Sequence, residues 1–322
     1  MKSKVASNRW ATIDVGTNSV ILFVCEIDPK SGSFATIHDD AEILRLGEGI
    51  EQTRRIKKSA ASRTAATIKS FSHKAQQLGV PTDQIRAIGT SVFRQSDNSD
   101  DVLNLVKKLC DVDIEVISGS REAELSYLAV CSDEIFRSHL GEKLVVTDIG
   151  GGSTELIYHQ NGVQYNSLPI GAVYGTDRFF KNDPPQQTEI EVFSKHLETV
   201  FADHPTPENT SLVGIGGTMV NLGSIKVALQ KLDQDQIHGQ TLSLDEIEHQ
   251  IQLFQSCTIN DRAEIPGLDP KRADVILGGA VIVRHLMQHF GTSQISVSTK
   301  GIRNGLITDQ LFPDLLEIMT IF

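Results

Sequence analysis

The chain has 322 residues, of which 39% are hydrophobic and 22% are charged, an ordinary composition for a globular protein. This length suggests two domains of about 150 residues, each large enough to bury a core. The net charge is −11, from 30 basic and 41 acidic residues. This balance argues against general nucleic-acid or membrane-surface binding, which normally needs a basic face. It does not exclude an anionic substrate, because a few placed donors can still bind phosphate.

The cysteines and the apolar segments indicate a cytoplasmic protein. No pair of cysteines has the spacing of a zinc or redox motif, which favours reduced thiols. We expect no signal peptide, because Asp14 and Asn18 interrupt the first apolar stretch. No apolar run approaches the roughly 18 residues of a membrane span.

The first half of the chain alternates predicted strands and helices. Residues 11–15 and 20–27 predict two strands joined by a turn at Gly16-Thr17-Asn18. Residues 51–79 predict one long helix, with Arg54, Arg55, Lys57 and Lys58 on its solvated face. The following predicted elements are a strand at 85–88, a loop with Arg94, a helix near 100–110, a strand at 114–117 and a helix from Arg121.

The second half begins with the same pattern. A strand at 144–149 contains Asp148, Gly150-Gly151-Gly152 forms a turn, and a strand returns at 154–158. The further predicted elements are strands at 212–215 and 295–297, helices at 270–290 and 302–311, and loops at 184–185 and 204–209. The recurrence predicts an α/β chain of two related lobes. We place them at 1–126 and 127–322, with the segment after about residue 300 a candidate to pack against the first lobe.

The sequence from Asp148 to Glu155 is the first candidate for chemistry. Its three glycines allow several N–H groups to point at one position, and Ser153 and Thr154 add hydroxyls. Asp148 and Glu155 offer oxygen ligands for a hard cation such as Mg²⁺. A plain glycine hairpin is the competing interpretation, and the flanking carboxylates and hydroxyls favour a functional turn.

Two further glycine turns are weaker candidates. Asp14 to Ser19 resembles the first motif but has a single glycine, so an ordinary β-turn competes with a phosphate site. Gly214 to Thr218 opens a helix whose N-terminus favours anions. Tight packing of strand against helix explains that third turn equally well.

Glu122 and Arg94 are candidates for catalysis and phosphate binding. Glu122 lies in the first turn of a predicted helix, where the helix dipole favours an ionised carboxylate able to activate water. Arg94 offers a planar fork to a phosphate. From position alone, Glu122 is explained as an ordinary acid in the first turn of a helix, and Arg94 is explained as an ordinary surface arginine.

In this order, the motifs resemble the exopolyphosphatase/guanosine pentaphosphate phosphatase (Ppx/GppA) family, in its short two-domain form. The matching stretches are Ile13–Ser19, Arg45–Gly49, Gly89–Arg94, Ile117–Ala123, Asp148–Glu155, Ser167–Ala172, Gly216–Thr218, Ile265–Leu268, Arg272–Asp274 and Gly301–Leu306. They span nearly the whole chain. The set of motifs in this order is specific for the family, although each motif alone is not.

The resemblance implies a two-lobed, actin-like (ribonuclease H-like) ATPase/sugar kinase fold and Mg²⁺-assisted hydrolysis of a terminal phosphoanhydride. It assigns catalysis to Glu122, as the base, and to Asp148. The expected metal ligands are Asp14, Asp148 and Glu155. The expected substrate contacts are Asn18, Ser19, Arg94, Gly151, Gly152, Ser153, Thr154, Gly217 and Thr218.

The chain also departs from the family pattern. Ile21 stands where members often have Arg or His, and Arg121 stands where an acid is frequent. One phosphate contact is therefore expected to be missing. The longer members have an additional helical C-terminal domain, so we expect less processivity on long polyphosphate here.

Four functions fit this sequence, and its motifs do not separate the first two. They are an exopolyphosphatase acting on inorganic polyphosphate, a guanosine pentaphosphate (pppGpp) 5′-phosphatase, an ATP-dependent kinase of the same superfamily, and a non-catalytic sensor of ppGpp or phosphate. The kinase would need adenine and sugar sites, for which no signature is seen. The retained acids argue against the sensor. A homodimer is implied by the resemblance only.

Overall fold

The computed structural model describes residues 8–28, 34–136, 143–202, 204, 210–230, 233–313 and 315. The chain forms two compact units. The first extends to Glu122 and also contains Leu306–Pro313, and the second contains Ala123–Gly305. Among the residues described, no helix is both long enough and apolar enough to cross a membrane.

The first unit contains a five-stranded sheet. Its strands are β1 (Arg9–Val15), β2 (Ser19–Ile27), β3 (Phe34–Ile43), β4 (Ile85–Gly89) and β5 (Ile114–Val116), in the order β3-β2-β1-β4-β5. β1 is antiparallel to β2 and parallel to β4, which is parallel to β5. The carboxyl ends of β1, β4 and β5 therefore lie at one edge of the sheet, where binding sites of α/β proteins are usually found.

Five helices follow in the chain: α1 (Ile50–Thr53), α2 (Lys58–Gln77), α3 (Ser91–Gln95), α4 (Ser99–Cys110) and α5 (Gly119–Cys131). A short 3-10 helix covers Thr82–Gln84. Small and apolar residues on one side of α2, among them Ala65, Ile68 and Phe71, are buried in the core of this unit.

The prediction of one helix over 51–79 is wrong, because the helix is interrupted before Lys58. Arg54 adopts a left-handed conformation with φ of 50°. Ile56 then exchanges hydrogen bonds with the Asn98 side chain, its N–H donating to Oδ1 (2.8 Å) and its carbonyl accepting from Nδ2 (3.1 Å). Three of the four basic residues of 54–58 thus precede α2 rather than lie on it.

The second unit contains a six-stranded sheet. Its strands are β6 (Lys143–Ile149), β7 (Thr154–His159), β8 (Val163–Leu168), β9 (Thr210–Ile215), β10 (Thr241–Ser243) and β11 (Gln294–Val297), in the order β10-β11-β9-β6-β7-β8. β9 is parallel to both β6 and β11, so the carboxyl ends of these three strands share one edge. The predicted loop at 204–209 lies outside the described residues except for His204.

The helices after β8 are α6 (Ala172–Phe179), α7 (Gln187–Phe201), α8 (Gly216–Lys226), α9 (Gln234–Ile237), α10 (Leu244–Ser256), α11 (Ile259–Arg262), α12 (Ile276–His289) and α13 (Ile302–Leu311). The helix predicted from residue 270 starts six residues later, because Pro270–Arg272 form a 3-10 helix. α12 is buried over most of its surface. From Leu306 onward α13 belongs to the first unit, where Ile307 packs on Phe23 and Ile27.

All four cysteines are free thiols, as the sequence predicts. Burial raises the pKa of Cys25 and of Cys131 to about 12. Both therefore stay protonated at neutral pH and serve as small apolar core residues.

Candidate active site

The turn between β1 and β2 is closed by a single main-chain hydrogen bond. The N–H of Gly16 donates to the carbonyl of Ser19 over 2.9 Å. Thr17 and Asn18, at the tip, are exposed, and within the described part of the chain their N–H groups have no protein acceptor. Two adjacent main-chain donors at a tight turn form an arrangement that binds anions.

The segment 44–47 fixes the turn between β1 and β2, which is the first of the two matching glycine turns. The N–H groups of Leu44 and Arg45 both donate to the carbonyl of Asn18, over 2.9 and 2.8 Å, and that of Gly47 donates to Thr17 (2.9 Å). A Cβ atom at Gly47 would lie 2.3 Å from Cγ2 of Thr17, so a larger residue would require the Thr17 side chain to move. The Arg45–Gly49 motif therefore has a structural role.

Glu122 and Arg94 meet at the same edge of the first sheet. Glu122 lies in the first turn of α5, and its N–H donates to the carbonyl of Ser118 (3.0 Å). Nη1 of Arg94 donates to the carbonyl of Ile117 (2.7 Å), and Nη2 donates to Oε2 of Glu122 (3.1 Å). The two side chains are 31% and 36% exposed, so both are accessible to solvent.

The turn between β6 and β7 repeats the geometry of the first turn. The N–H of Gly150 donates to the carbonyl of Ser153 over 2.9 Å, the bond that Gly16 makes to Ser19. Gly151 and Gly152 are exposed, and their N–H groups donate to no acceptor among the residues described. The predicted likeness of the two turns is thus confirmed at the level of single hydrogen bonds.

The segment 170–174 holds the second turn as 44–47 holds the first. The N–H of Ala172 donates to Gly150 (2.9 Å), and that of Val173 donates to Gly151 (2.9 Å). The hydroxyl of Thr154 is buried and donates to the carbonyl of Ile170 (2.8 Å). Thr154 therefore uses its hydroxyl to fix the turn, and its predicted contact with substrate stays a prediction.

Two carboxylates flank the second turn. Asp148 and Glu155 are directly opposite each other in the register of β6 and β7. Oε1 of Glu155 accepts hydrogen bonds from the hydroxyls of Ser153 (2.7 Å) and Ser167 (2.9 Å). These two bonds fix the orientation of the Glu155 carboxylate beside Asp148.

The third glycine turn lies against Asp148. A Cβ atom at Gly216 would come within 2.4 Å of Oδ1 of Asp148, and Gly216 has a φ of +81°, so glycine is required on both grounds. α8 begins at this residue. The hydroxyl of Thr218 is buried and donates to the carbonyl of Ile149 (3.2 Å), which joins the start of α8 to the end of β6.

Arg272 also lies in this group, although it was not among the predicted site residues. A Cβ atom at Gly217 would lie 2.0 Å from Nη2 of Arg272, so the guanidinium packs directly on the start of α8. Burial lowers the pKa of Arg272, while the carboxylates of Asp269, Asp148 and Asp274 act in the opposite direction. An arginine remains charged in any case. In the sequence, Arg272 is part of the Arg272–Asp274 stretch that resembles the family, but that resemblance did not predict a role for the arginine.

The predicted residues thus fall into two groups, one in each unit. The first unit brings together Asp14, Asn18, Ser19, Arg94 and Glu122 at the carboxyl edge of its sheet. The second brings together the remaining ones, which are Asp148, Gly151, Gly152, Ser153, Thr154, Glu155, Gly217 and Thr218.

The donors around Asp148 suit a magnesium ion. Mg²⁺ is usually held by one or two carboxylates together with waters and phosphate oxygens. Asp148 and Glu155 supply two adjacent carboxylates, and Oε2 of Glu155 has no hydrogen-bond partner among the described residues. No group of three or more His, Cys, Asp or Glu side chains suited to a metal occurs in the described ranges. In the first unit Asp14 is opposite Ile21, so its place among the ligands stays a prediction.

Comparisons with known proteins extend over nearly the whole chain. The model of the Ppx/GppA phosphatase family matches residues 24–312. A bifunctional 3-dehydroquinate synthase/phosphatase of Fusobacterium nucleatum is 32% identical over 93% of the chain, which spans only 46% of that protein. Exopolyphosphatase 2 of Mycobacterium tuberculosis is 30% identical over 94% of this chain and 98% of its own.

A solved structure supports the same assignment. The crystal structure of the Ppx/GppA family member of Aquifex aeolicus superposes with a TM-score of 0.82 at 28% identity, covering 95% of this chain and 98% of that one. The predicted α/β fold class is confirmed by this similarity and by the two sheets with their helices. The chain belongs to the Ppx/GppA phosphatase family.

Proposed function

We propose that the protein is an exopolyphosphatase, which hydrolyses the terminal phosphoanhydride of inorganic polyphosphate and releases orthophosphate. The observation that carries this proposal is the pair of matching glycine turns, each closed by one hydrogen bond and each presenting two adjacent N–H donors. Such donors suit a chain of repeating phosphates without any base or sugar. The similarity to Exopolyphosphatase 2 over 98% of that protein supports the same substrate.

In this proposal Glu122 is the general base. Its carboxylate takes a proton from water as the water oxygen forms a bond to the terminal phosphorus. The bond from that phosphorus to the bridging oxygen breaks, and the shortened chain leaves with the electron pair. Proton removal by a positioned carboxylate contributes about 10²–10⁴-fold to the rate.

The remaining groups bind and orient the phosphates. Negative charge on the phosphoryl oxygens is stabilised by fixed main-chain donors and cations that need no rearrangement during the reaction. The N–H groups of Gly151 and Gly152, the start of α8 and the guanidinium of Arg272 are such groups in the second unit. Asn18 and its neighbours are the corresponding groups in the first unit.

Magnesium is the cofactor that we propose. Asp148 and Glu155 would hold it, because they are adjacent carboxylates of which one is already oriented by two hydroxyls. When bound, Mg²⁺ supplies positive charge to the phosphate oxygens. We also propose a cytoplasmic location, for which the four free thiols are the supporting observation.

Phosphate release from three substrates tests the proposal. Short polyphosphate, long polyphosphate and pppGpp are offered in parallel and in competition, with Mg²⁺, to the wild-type chain and to Glu122→Gln. The expected result is release from polyphosphate that the variant loses. Glu124→Gln, on the same helix, is the matched control. Preference for pppGpp would make the chain a pentaphosphate phosphatase, and binding without release from any substrate would favour a sensor.

A further inference from the structure

The two terminal nitrogens of the Arg94 guanidinium donate to different groups, Nη1 to the main chain and Nη2 to a side chain. Its Nη1 donates to the carbonyl of Ile117 over 2.7 Å. That carbonyl belongs to ordered backbone, because the N–H of Ile117 continues the pairing of β4 and β5 by donating to Gly89 (3.1 Å). With one nitrogen held by the main chain, the position of Nη2 is largely determined by the planar guanidinium.

The second terminal nitrogen of Arg94 contacts the proposed base, Glu122. Nη2 of Arg94 donates to Oε2 of Glu122 over 3.1 Å. A glutamate side chain in the first turn of a helix can take several rotamers, and a charge-assisted bond selects one of them. The neighbouring arginine makes a bond to a different carboxylate, since Nη2 of Arg121 donates to Asp309.

We infer that Arg94 is a positioning residue, which holds Glu122 in the orientation needed to take a proton from water. This inference rests on the proposed function, since it gives Arg94 a purpose through the base. It differs from the prediction that Arg94 contacts the phosphates. A phosphate ligand would act whether or not Glu122 is present, whereas a positioning residue acts on turnover through Glu122.

Steady-state kinetics on polyphosphate is the first part of the test, and the double variant with Glu122→Gln separates the two roles. For Arg94→Gln we expect kcat to fall about 10- to 100-fold, the effect of a misplaced catalytic group. We expect KM to stay within about 3-fold of wild type, since no substrate contact is removed. The acid limb of the kcat–pH profile should move to higher pH, because a cation next to the base is lost. Arg94→Lys should recover only part of the rate, since an ammonium lacks the rigid planar fork that makes both bonds in a fixed geometry.

Arg9→Gln is a matched control. Nη1 of Arg9 donates to the carbonyl of Leu78 (2.7 Å) and Nη2 to Glu26 (3.5 Å), so this arginine makes the same type of bridge at the opposite end of β1. We expect its kcat and its pH profile to match those of the wild type. Circular dichroism and the melting temperature of each variant show whether it is folded.

The double variant completes the test. If Arg94 acts through Glu122, Arg94→Gln should have little further effect in a Glu122→Gln background, so the two single losses do not add. A full additional loss in that background overturns the inference, as does a tenfold rise in KM at unchanged kcat. A wild-type chain that releases no phosphate overturns the proposed function as well, whereas these outcomes in an active chain overturn only the role of Arg94.

Discussion

Asp148 and Glu155 are directly opposite each other on neighbouring strands beside the second turn, whereas the equivalent partner of Asp14 in the first unit is Ile21. The two turns share one backbone design, and this pair is one of the positions at which their chemistry differs. Two adjacent carboxylates offer oxygen ligands to a cation, while an isoleucine offers none. The metal is therefore expected at the second turn.

Replacing Glu155 by glutamine should weaken Mg²⁺ binding. The amide keeps the shape of the side chain but removes one of two adjacent negative charges. We expect the half-saturating Mg²⁺ concentration to rise about tenfold or more. Phosphate release against Mg²⁺ concentration measures this, and isothermal titration calorimetry with MgCl₂ measures it without turnover.

Replacing Ser167 by alanine is the companion variant, because its hydroxyl orients Glu155 without being a proposed ligand. Its effect on Mg²⁺ affinity should have the same sign and be smaller. An unchanged Mg²⁺ dependence in Glu155→Gln would show that the ion, if required, is held elsewhere.

Replacing Gly171 by alanine should destabilise the second unit and displace its turn. The new Cβ atom would lie 2.3 Å from the carbonyl oxygen of Gly151, a contact that only a backbone shift relieves. We expect a loss of about 1–3 kcal/mol in the free energy of unfolding. Urea unfolding checks this, with Gly152→Ala as the control for stability, since a Cβ atom there meets nothing within 4 Å. Equal midpoints for the two variants would contradict the expectation.

The sequence predicted the parts of this structure that depend on neighbouring residues. The hairpins around Gly16 and Gly150 follow from alternating apolar residues and local glycines, so their strands were predicted to within a few residues. The interruption before α2 was not predicted, because Asn98, which binds Ile56, is 42 positions away.

The same reason explains why Arg272 was missed. Its contacts with Gly217 and its proximity to Asp148 exist only after the chain has folded. The Arg272–Asp274 motif marks the segment, but nothing within it shows that this arginine packs beside Asp148.

The contact between Gly217 and Arg272 leads to a separate prediction. In Gly217→Ala the methyl group would occupy the place of the guanidinium, so Arg272 must move away from the start of α8. We expect kcat/KM for polyphosphate to fall about 10²-fold, similar to the loss of one fixed charge-stabilising donor. Arg272→Gln should reproduce the loss, and Lys271→Gln, an exposed neighbour, should not. Full activity of Gly217→Ala would exclude Arg272 from the phosphate site.

A buried ion cluster in the second unit predicts how stability depends on pH. Asp133 is 4% exposed, and its Oδ2 lies 3.1 Å from Nε2 of His238 and also accepts from Lys300. Burial alone would raise the pKa of Asp133, but the hydrogen bonds from His238 and Lys300 outweigh burial and hold the pKa well below its usual range. A carboxyl whose pKa falls on folding stabilises the fold above its ordinary pKa, and this contribution is lost as pH falls towards the lowered value.

We therefore expect Asp133→Asn to lose about 3 kcal/mol of stability at pH 7, the usual result of breaking a buried ion pair. Between about pH 5 and pH 3 the wild-type chain should lose stability more steeply than the variant, because the variant has no carboxyl to protonate at this position. Urea unfolding at several pH values measures both slopes, with Asp177→Asn, an exposed carboxyl of the same unit, as the control. Parallel pH profiles for wild type and Asp133→Asn would mean that the cluster does not hold an ionised Asp133, and the stabilising role given to it here would be wrong.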